Sequence, residues 1–164
     1  MFELLLPFFL IFLFFLVLAI IWRNNARKYI SAGTVASAYD AWTQDKLLER
    51  LWGEHIHLGF YPSGNKNIDF RKAKVQFVHE LVRWSDLDKL PKGSRILDVG
   101  CGIGGSSRIL AKYYGFNVTG ITISPAQVKR ARELTPFGLN CTFRVMDALD
   151  LKFEDCLLYT SDAA

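Results

Sequence analysis

Two stretches of this sequence carry residue types and spacings that could do chemistry. The first is Asp98-Val99-Gly100-Cys101-Gly102-Ile103-Gly104-Gly105, an acid followed by four glycines within six positions. Glycine admits positive φ and lets another group approach the backbone. A glycine turn that feeds a helix presents free N–H groups to an acceptor or an anion. The chemistry is therefore that of a nucleotide-type site. Gly100-x-Gly102-x-x-Gly105 literally fits the dinucleotide fingerprint. A dinucleotide site also wants an acid at the end of the second strand, for the ribose hydroxyls. That position is Thr122 here, with no acid nearby. The acid lies instead at Asp98, inside the first strand, where a buried carboxylate is costly unless paired. An ammonium group on a ligand, or N–H groups of the loop, would pair it. The second stretch is Trp52-Gly53-Glu54-His55-Ile56-His57-Leu58-Gly59-Phe60-Tyr61-Pro62, dense in aromatics and histidines. Histidine is the natural general base near neutral pH. If the loop is extended, His55 and His57 share one face.

The elements that must position these groups read as alternating strands and helices. Ile96–Val99 is a short apolar strand leading into the glycine turn. Ile109, Leu110, Tyr113 and Tyr114 recur at helical spacing, and Tyr114-Gly115 closes that helix as a C-cap. Residues 117–123 form a second strand. Ser124 caps a second helix with Pro125 at its first position, and Val128, Ala131 and Leu134 are its buried side. Pro136 and Gly138 end it, and 141–145 is a third strand, followed by a loop over 147–150. This alternation implies a parallel sheet with right-handed crossovers. Upstream, Thr34 is the expected N-cap of a helix whose stripe runs through Val35, Ala38, Tyr39, Trp42, Leu48, Leu51 and Trp52. Ser63-Gly64-Asn65 is a turn, and Asp69 caps a helix with Val75, Val78, Leu81 and Val82 on its apolar face. Pro91-Lys92-Gly93 turns into the first strand.

Leu4–Trp22 is a continuous apolar run, about long enough to cross a bilayer. Arg23, Arg27 and Lys28 follow it, which predicts a single-pass protein with its remainder on the cytoplasmic side. The rival reading is a cleaved signal peptide. Ala36-Ser37-Ala38 resembles a cleavage site but lies too far from the apolar core, and the amino end lacks a positive charge. The expected organisation is an anchor over 1–23, a linker over 24–33, a helical lid region over 34–92 and a partial binding domain over 93–155. The 164 residues carry a formal net charge of +4 without a block of like charges, which argues against a nucleic-acid partner. Cys101, Cys141 and Cys156 are odd in number and lack metal-ligand spacing, so they read as free thiols and no metal is expected.

Ile96-Leu97-Asp98-Val99-Gly100-Cys101-Gly102-x-Gly104 resembles motif I of the class I S-adenosylmethionine-dependent methyltransferases, which have a Rossmann-like α/β fold. The resemblance implies that Gly100, Cys101, Gly102 and Gly104 pass close to the methionine part of S-adenosylmethionine while Asp98 helps hold its amino group. Gly120-Ile121-Thr122-Ile123-Ser124-Pro125-Ala126-Gln127 resembles the second-strand motif of the branch in which threonine and glutamine contact the ribose; Thr122 and Gln127 match. Met146-Asp147-Ala148 resembles the loop in which the acid meets the adenine amino group. More narrowly, the apolar amino end, Ala38-Tyr39-Asp40, Trp52-Gly53-Glu54-His55-Ile56-His57-x-Gly59 and the glycine loop resemble the cyanobacterial-type quinol C-methyltransferases of tocopherol and plastoquinone synthesis. The implied partner is a lipophilic prenylated quinol, met at a photosynthetic or plasma membrane through the amino-terminal helix.

In such a reaction the protein mainly aligns donor and acceptor, and a base deprotonates the hydroxyl beside the accepting carbon. His55 and His57 are the candidates; the alternative is that they pack and hydrogen-bond within the lid. Glu54 reads as base or solvent-facing, His79 as structural, and Tyr39 as core or cofactor contact. Asp98 could be satisfied by loop N–H groups alone, Thr122 and Gln127 could belong to a capped helix start, and Asp147 could cap a turn. The class I sheet has seven strands, of which this sequence supplies three, so the first strand is expected at an unpaired edge. Residues 156–164 resemble translated sequencing-adaptor read-through, and 1–155 an amino-terminal fragment, expected to be poorly stable and inactive alone. The other function readings are a methyltransferase for a different lipophilic acceptor, of tocopherol or sterol type, and a non-catalytic membrane-tethered module.

Overall fold

The computed structural model describes residues 11–21, 31–63, 67–153 and 159–161. The chain divides into two units, Met1–Ile30 and Ser31–Ala164. In the first unit, α1 is described over residues 11–21, all of them exposed. At 1.5 Å per residue that stretch measures about 16 Å, roughly half the ~30 Å hydrocarbon core of a bilayer. Among the described residues no helix is long and apolar enough to cross a membrane. This finding corrects the expected transmembrane helix over 1–23 and, with it, the expected single-pass placement. The flanking basic residues Arg23, Arg27 and Lys28, and the turn at Gly64-Asn65, lie outside the described residues.

The second unit opens with α2 (Ala32–Gln44) and α3 (Leu47–Trp52). The expected single apolar stripe is broken, because Lys46 adopts φ 55° and Asp45 Oδ1 accepts from the Leu47 N–H at 2.8 Å. Trp42, Leu51 and Trp52 are left exposed. The N-cap of α2 is Ser31 rather than Thr34. Thr34 instead stands one turn in, its hydroxyl accepting from the Ser31 N–H at 3.3 Å and donating to the Ser31 carbonyl at 2.7 Å. Helix α4 (Phe70–Trp84) begins where expected: Asp69 Oδ1 accepts from the N–H groups of Arg71 and Lys72. Its buried side is Ala73, Lys74, Val78 and Val82.

The strand–helix alternation follows: β1 (Arg95–Val99), α5 (Gly105–Tyr114), β2 (Asn117–Thr122), α6 (Pro125–Leu134) and β3 (Cys141–Val145). Gly115 ends α5 at φ 73°, and Ser124 caps α6 by accepting from the Gln127 N–H at 3.1 Å. A short β4 (Tyr159–Ser161) completes a parallel sheet of order β3-β2-β1-β4. β4 pairs with Ile96, Leu97 and Asp98, which corrects the expectation of a sheet ending at its third strand with β1 unpaired. An apolar strand edge carries free N–H and C=O groups, and a passing segment satisfies them. One apolar cluster joins Val78 and Val82 of α4 to Ile96, Ile109, Leu110, Phe116 and Val118. A second gathers Cys101, Val128, Ala131 and Phe143. In-register pairing sets Asp98 beside Gly120 and Gly120 beside Phe143. A Cβ at Gly120 would lie 2.8 Å from Phe143 and 2.9 Å from Cys101, so the glycine makes room for both.

Candidate active site

Asp98 sits near the carboxyl end of β1, where open α/β sheets place their ligands. It is 5% exposed. Ser107, on the first turns of α5, donates its hydroxyl to Asp98 Oδ2 at 2.6 Å. Burial pushes the Asp98 carboxyl above its ordinary range; the Ser107 hydrogen bonds and the nearby His57 pull in the opposite direction. An added positive charge would relieve the cost of burying this carboxylate. Beyond Asp98 the chain turns through Gly100 at φ 75° and Gly102 at φ 54°, and nothing lies within 4 Å of where a Cβ would stand on either. The N–H groups of Gly100 and Cys101 both donate to the Ile121 carbonyl, at 2.9 and 3.0 Å. The loop is thereby pinned to β2 instead of offering those two groups to a ligand. Gly104 serves packing: a Cβ there would lie 2.6 Å from the Phe143 ring. The Cys101 thiol is buried, and burial raises it far above its usual range, so it is not a nucleophile.

A cavity of about 420 Å³ opens here, lined by Asp98, Gly100, Cys101, Gly102, Gly105 and Gln127 from the sheet side. From α2, α3 and the following loop it is lined by Tyr39, Trp42, Glu49, Glu54, His55 and His57, among others. Its volume falls within the ~300–1,000 Å³ of small-molecule sites. Of the sequence-predicted residues, Gly104, Thr122, Asp147 and Ala148 are not on this wall. Thr122 stands behind it, donating its hydroxyl to Gln127 Oε1 at 2.7 Å. Asp147 Oδ1 accepts from the Leu149 N–H at 2.9 Å, closing a turn, and Ala148 is exposed. His79 is tied elsewhere, its Nδ1 2.7 Å from the Tyr114 hydroxyl.

The aromatic loop over the cavity is held by residues that sequence reasoning missed. Lys74, buried on α4, donates to the carbonyls of Trp52 (3.0 Å) and His55 (2.8 Å), and its ammonium lies 4.5 Å from the centre of the Trp52 ring. Arg108 on α5 donates to Glu54 Oε2 at 2.6 Å and to the Ile103 carbonyl at 2.8 Å. Asp40 on α2 accepts from the Ser124 hydroxyl and from the Ala126 N–H, which fixes α2 on the N-terminus of α6. The available signal was position: Lys74 falls in the 74, 78, 82 stripe otherwise filled by buried valines, and an unpaired lysine cannot stay there. His55 is 9% exposed, with Nδ1 3.1 Å from Nε2 of His57. Burial and the neighbouring His57 push His55 down to about 4.

A parallel sheet with an acid at the end of β1, an open glycine turn and a covered cavity above them define the Rossmann-like methyltransferase class. Residues 96–160 match the family described as "Methyltransferase domain". The chain is 57% identical over 152 residues, 93% of its length, to 2-methyl-6-phytyl-1,4-hydroquinone methyltransferase of Synechocystis sp.. It is 40% identical over 119 residues, 66% of its length, to the chloroplastic tocopherol O-methyltransferase of Arabidopsis thaliana. It also resembles the crystal structure of magnesium protoporphyrin IX methyltransferase from Synechocystis PCC 6803 with bound S-adenosylmethionine. There the TM-score is 0.54 and the identity 28%, covering 77% of this chain and 59% of that one. The chain belongs to the S-adenosylmethionine-dependent methyltransferases. It spans 48% of the length of the Synechocystis relative and 34% of the Arabidopsis one.

Proposed function

We propose that this chain carries the cofactor-binding part of an enzyme that methylates a ring carbon of a prenylated hydroquinone. The observation that carries this reading is the 57% identity to the Synechocystis hydroquinone methyltransferase, spread over 93% of the chain and so over the whole cavity wall. S-adenosylmethionine, when bound, supplies a methyl group already activated on a sulfonium sulfur. The residues present fit that cofactor. Asp98 offers a buried carboxylate whose charge wants an ammonium partner, and Gly100 and Gly102 leave open space beside it. Thr122 occupies Gln127 Oε1, which leaves the Gln127 amide N–H groups to donate to ribose hydroxyls. On the acceptor side, loss of the hydroxyl proton makes the neighbouring ring carbon nucleophilic. His55 and His57, on the opposite wall, are the base.

The test is transfer of isotopically labelled methyl from S-adenosylmethionine to 2-methyl-6-phytyl-1,4-hydroquinone, with the product read by NMR. A new ring carbon–methyl bond is the expected result. A second reading, O-methylation of a tocopherol, is favoured by the 40% identity to the Arabidopsis relative. Label on a tocopherol oxygen and none on the quinol ring would replace the first reading with the second. Absence of S-adenosylhomocysteine binding in calorimetry would favour the non-catalytic module over both.

A further inference from the structure

His55 and His57 are joined in a way that assigns their hydrogens. His57 Nδ1 lies 2.8 Å from the Leu58 carbonyl oxygen, which only accepts. Nδ1 of His57 therefore carries the hydrogen, and in the neutral ring Nε2 is a lone pair. That lone pair faces His55 Nδ1 at 3.1 Å, so His55 Nδ1 carries the donated hydrogen and His55 Nε2 is the open acceptor. Among the described residues His55 Nε2 has no hydrogen-bond partner, it is not fully sealed off, and His55 lines the cavity. Adding one proton to the pair leaves every heavy atom in place. His57 Nε2 then donates to His55 Nδ1, and His55 carries its hydrogen on Nε2.

We propose that the two histidines act as one proton relay, in which a proton enters at His55 Nε2 and the positive charge comes to rest on His57. This deepens the methyl-transfer reading above and rests on it for the identity of the proton donor. The acceptor's O–H bond breaks, leaving its electron pair on oxygen, and an N–H bond forms at His55 Nε2. The His55 Nδ1–H bond breaks as one forms at His57 Nε2. A neutral hydroxyl and a neutral pair become an oxyanion and one imidazolium.

The surroundings favour this division of labour. His55 is buried, 9% exposed, and cannot hold the charge cheaply, as its depressed pKa of about 4 reflects. The charged groups around it are Glu54 from its own loop, Lys74 from α4 and Arg108 from α5, and the two cations oppose a charge on His55. His57 is half-buried, with the Leu58 carbonyl accepting from its Nδ1–H, and the Asp98 carboxyl of β1 feels its charge. His55 is thus the residue that meets the acceptor; His57 acts through it.

The experiment is ¹⁵N-histidine NMR on the full 164-residue chain across a pH titration, which needs neither substrate nor turnover. The expected result is His55 as the Nδ1–H tautomer at high pH, switching to Nε2–H as His57 becomes an imidazolium. Both rings should inflect at one shared pH, and His57→Gln should abolish the His55 switch while leaving the His55 ring signal folded-like. An Nε2–H tautomer of His55 at high pH, or a first inflection confined to one of the two rings, overturns the relay. The relay signature in this chain, with no quinol methylation by an enzyme that contains it, would sink the substrate reading alone; quinol methylation without the signature would sink the relay alone.

Discussion

Asp98 and His55 are both buried titratable groups, and each ties stability to pH in its own direction. Asp98 is shifted upward by burial, so the folded state holds its proton more tightly than the unfolded chain. Stability on this account falls as pH climbs from the unfolded value of 3.8 through the raised one, so the burial of this group is a net cost above that range. Asp98→Asn keeps the shape and removes the charge. It should raise the melting temperature at pH 7 while weakening S-adenosylhomocysteine binding about tenfold to a hundredfold, since a charged hydrogen bond contributes about 1.5–3 kcal/mol. Calorimetry and thermal melts on one preparation read both; unchanged binding would remove Asp98 from the site. His55 is shifted the other way, from 6.5 to about 4. The charge this shift opposes is the one on His55 itself, the pair's second proton, so its contribution is fully present above 6.5 and drains as pH falls toward 4, about 3 kcal/mol in all. Denaturation midpoints taken between pH 7 and 4.5 should fall steeply for the native sequence, and His55→Gln should flatten that part of the slope.

At the scale of elements, what was legible in the sequence was what is local. The ends of β3, the Asp69 cap of α4 and the Ser124-Pro125 start of α6 follow from residues within a turn of one another, and the structure has them where the pattern put them. The pieces that cover the cavity are long-range. Lys74 reaches back 19 and 22 residues to the loop, Arg108 reaches 54 to Glu54, and Asp40 reaches 86 forward to Ala126. No spacing rule sees such pairs. The α2–α3 break failed for a different reason: Asp45 and Lys46 stand where the stripe after Trp42 needs apolar residues, and the expected stripe bridged that gap although the backbone breaks there. Gly105 shows how close the loop and α5 come: a Cβ there would lie 2.8 Å from His55 Cε1 and 2.9 Å from the Glu54 carbonyl oxygen. Neither neighbour can yield easily, because one is backbone and the other is a buried ring. Gly105→Ala should cost about 1–3 kcal/mol. It should also make the loop cleavable by protease near His55 while α5 and the sheet stay protected. Uniform loss of protection across the chain would mean that the contact supports the whole domain instead.

For the whole molecule, the strand–helix alternation and the acid before the glycine turn were legible, but the literal dinucleotide pattern was equally present in the sequence. What separates the two readings is where the charge sits in the assembled cavity. A dinucleotide needs a carboxylate at the end of β2, and that place is held by Thr122, which is buried and already bonded to Gln127. The buried carboxylate is at the end of β1, beside two glycines with open space above them. A ligand with an ammonium group therefore gains there, whereas a pyrophosphate would be repelled by Asp98. A ligand that binds only the folded state stabilises it by RT ln(1 + [L]/Kd), about 2.7 kcal/mol at a hundredfold excess over Kd. S-adenosylhomocysteine keeps the amino group, so it should raise the unfolding free energy of the chain by that amount and its denaturation midpoint with it, with NADH at equal concentration producing no shift. Asp98→Ala should remove the response to S-adenosylhomocysteine without creating one to NADH. A midpoint that rises with NADH in the native sequence would return the glycine turn to the dinucleotide class.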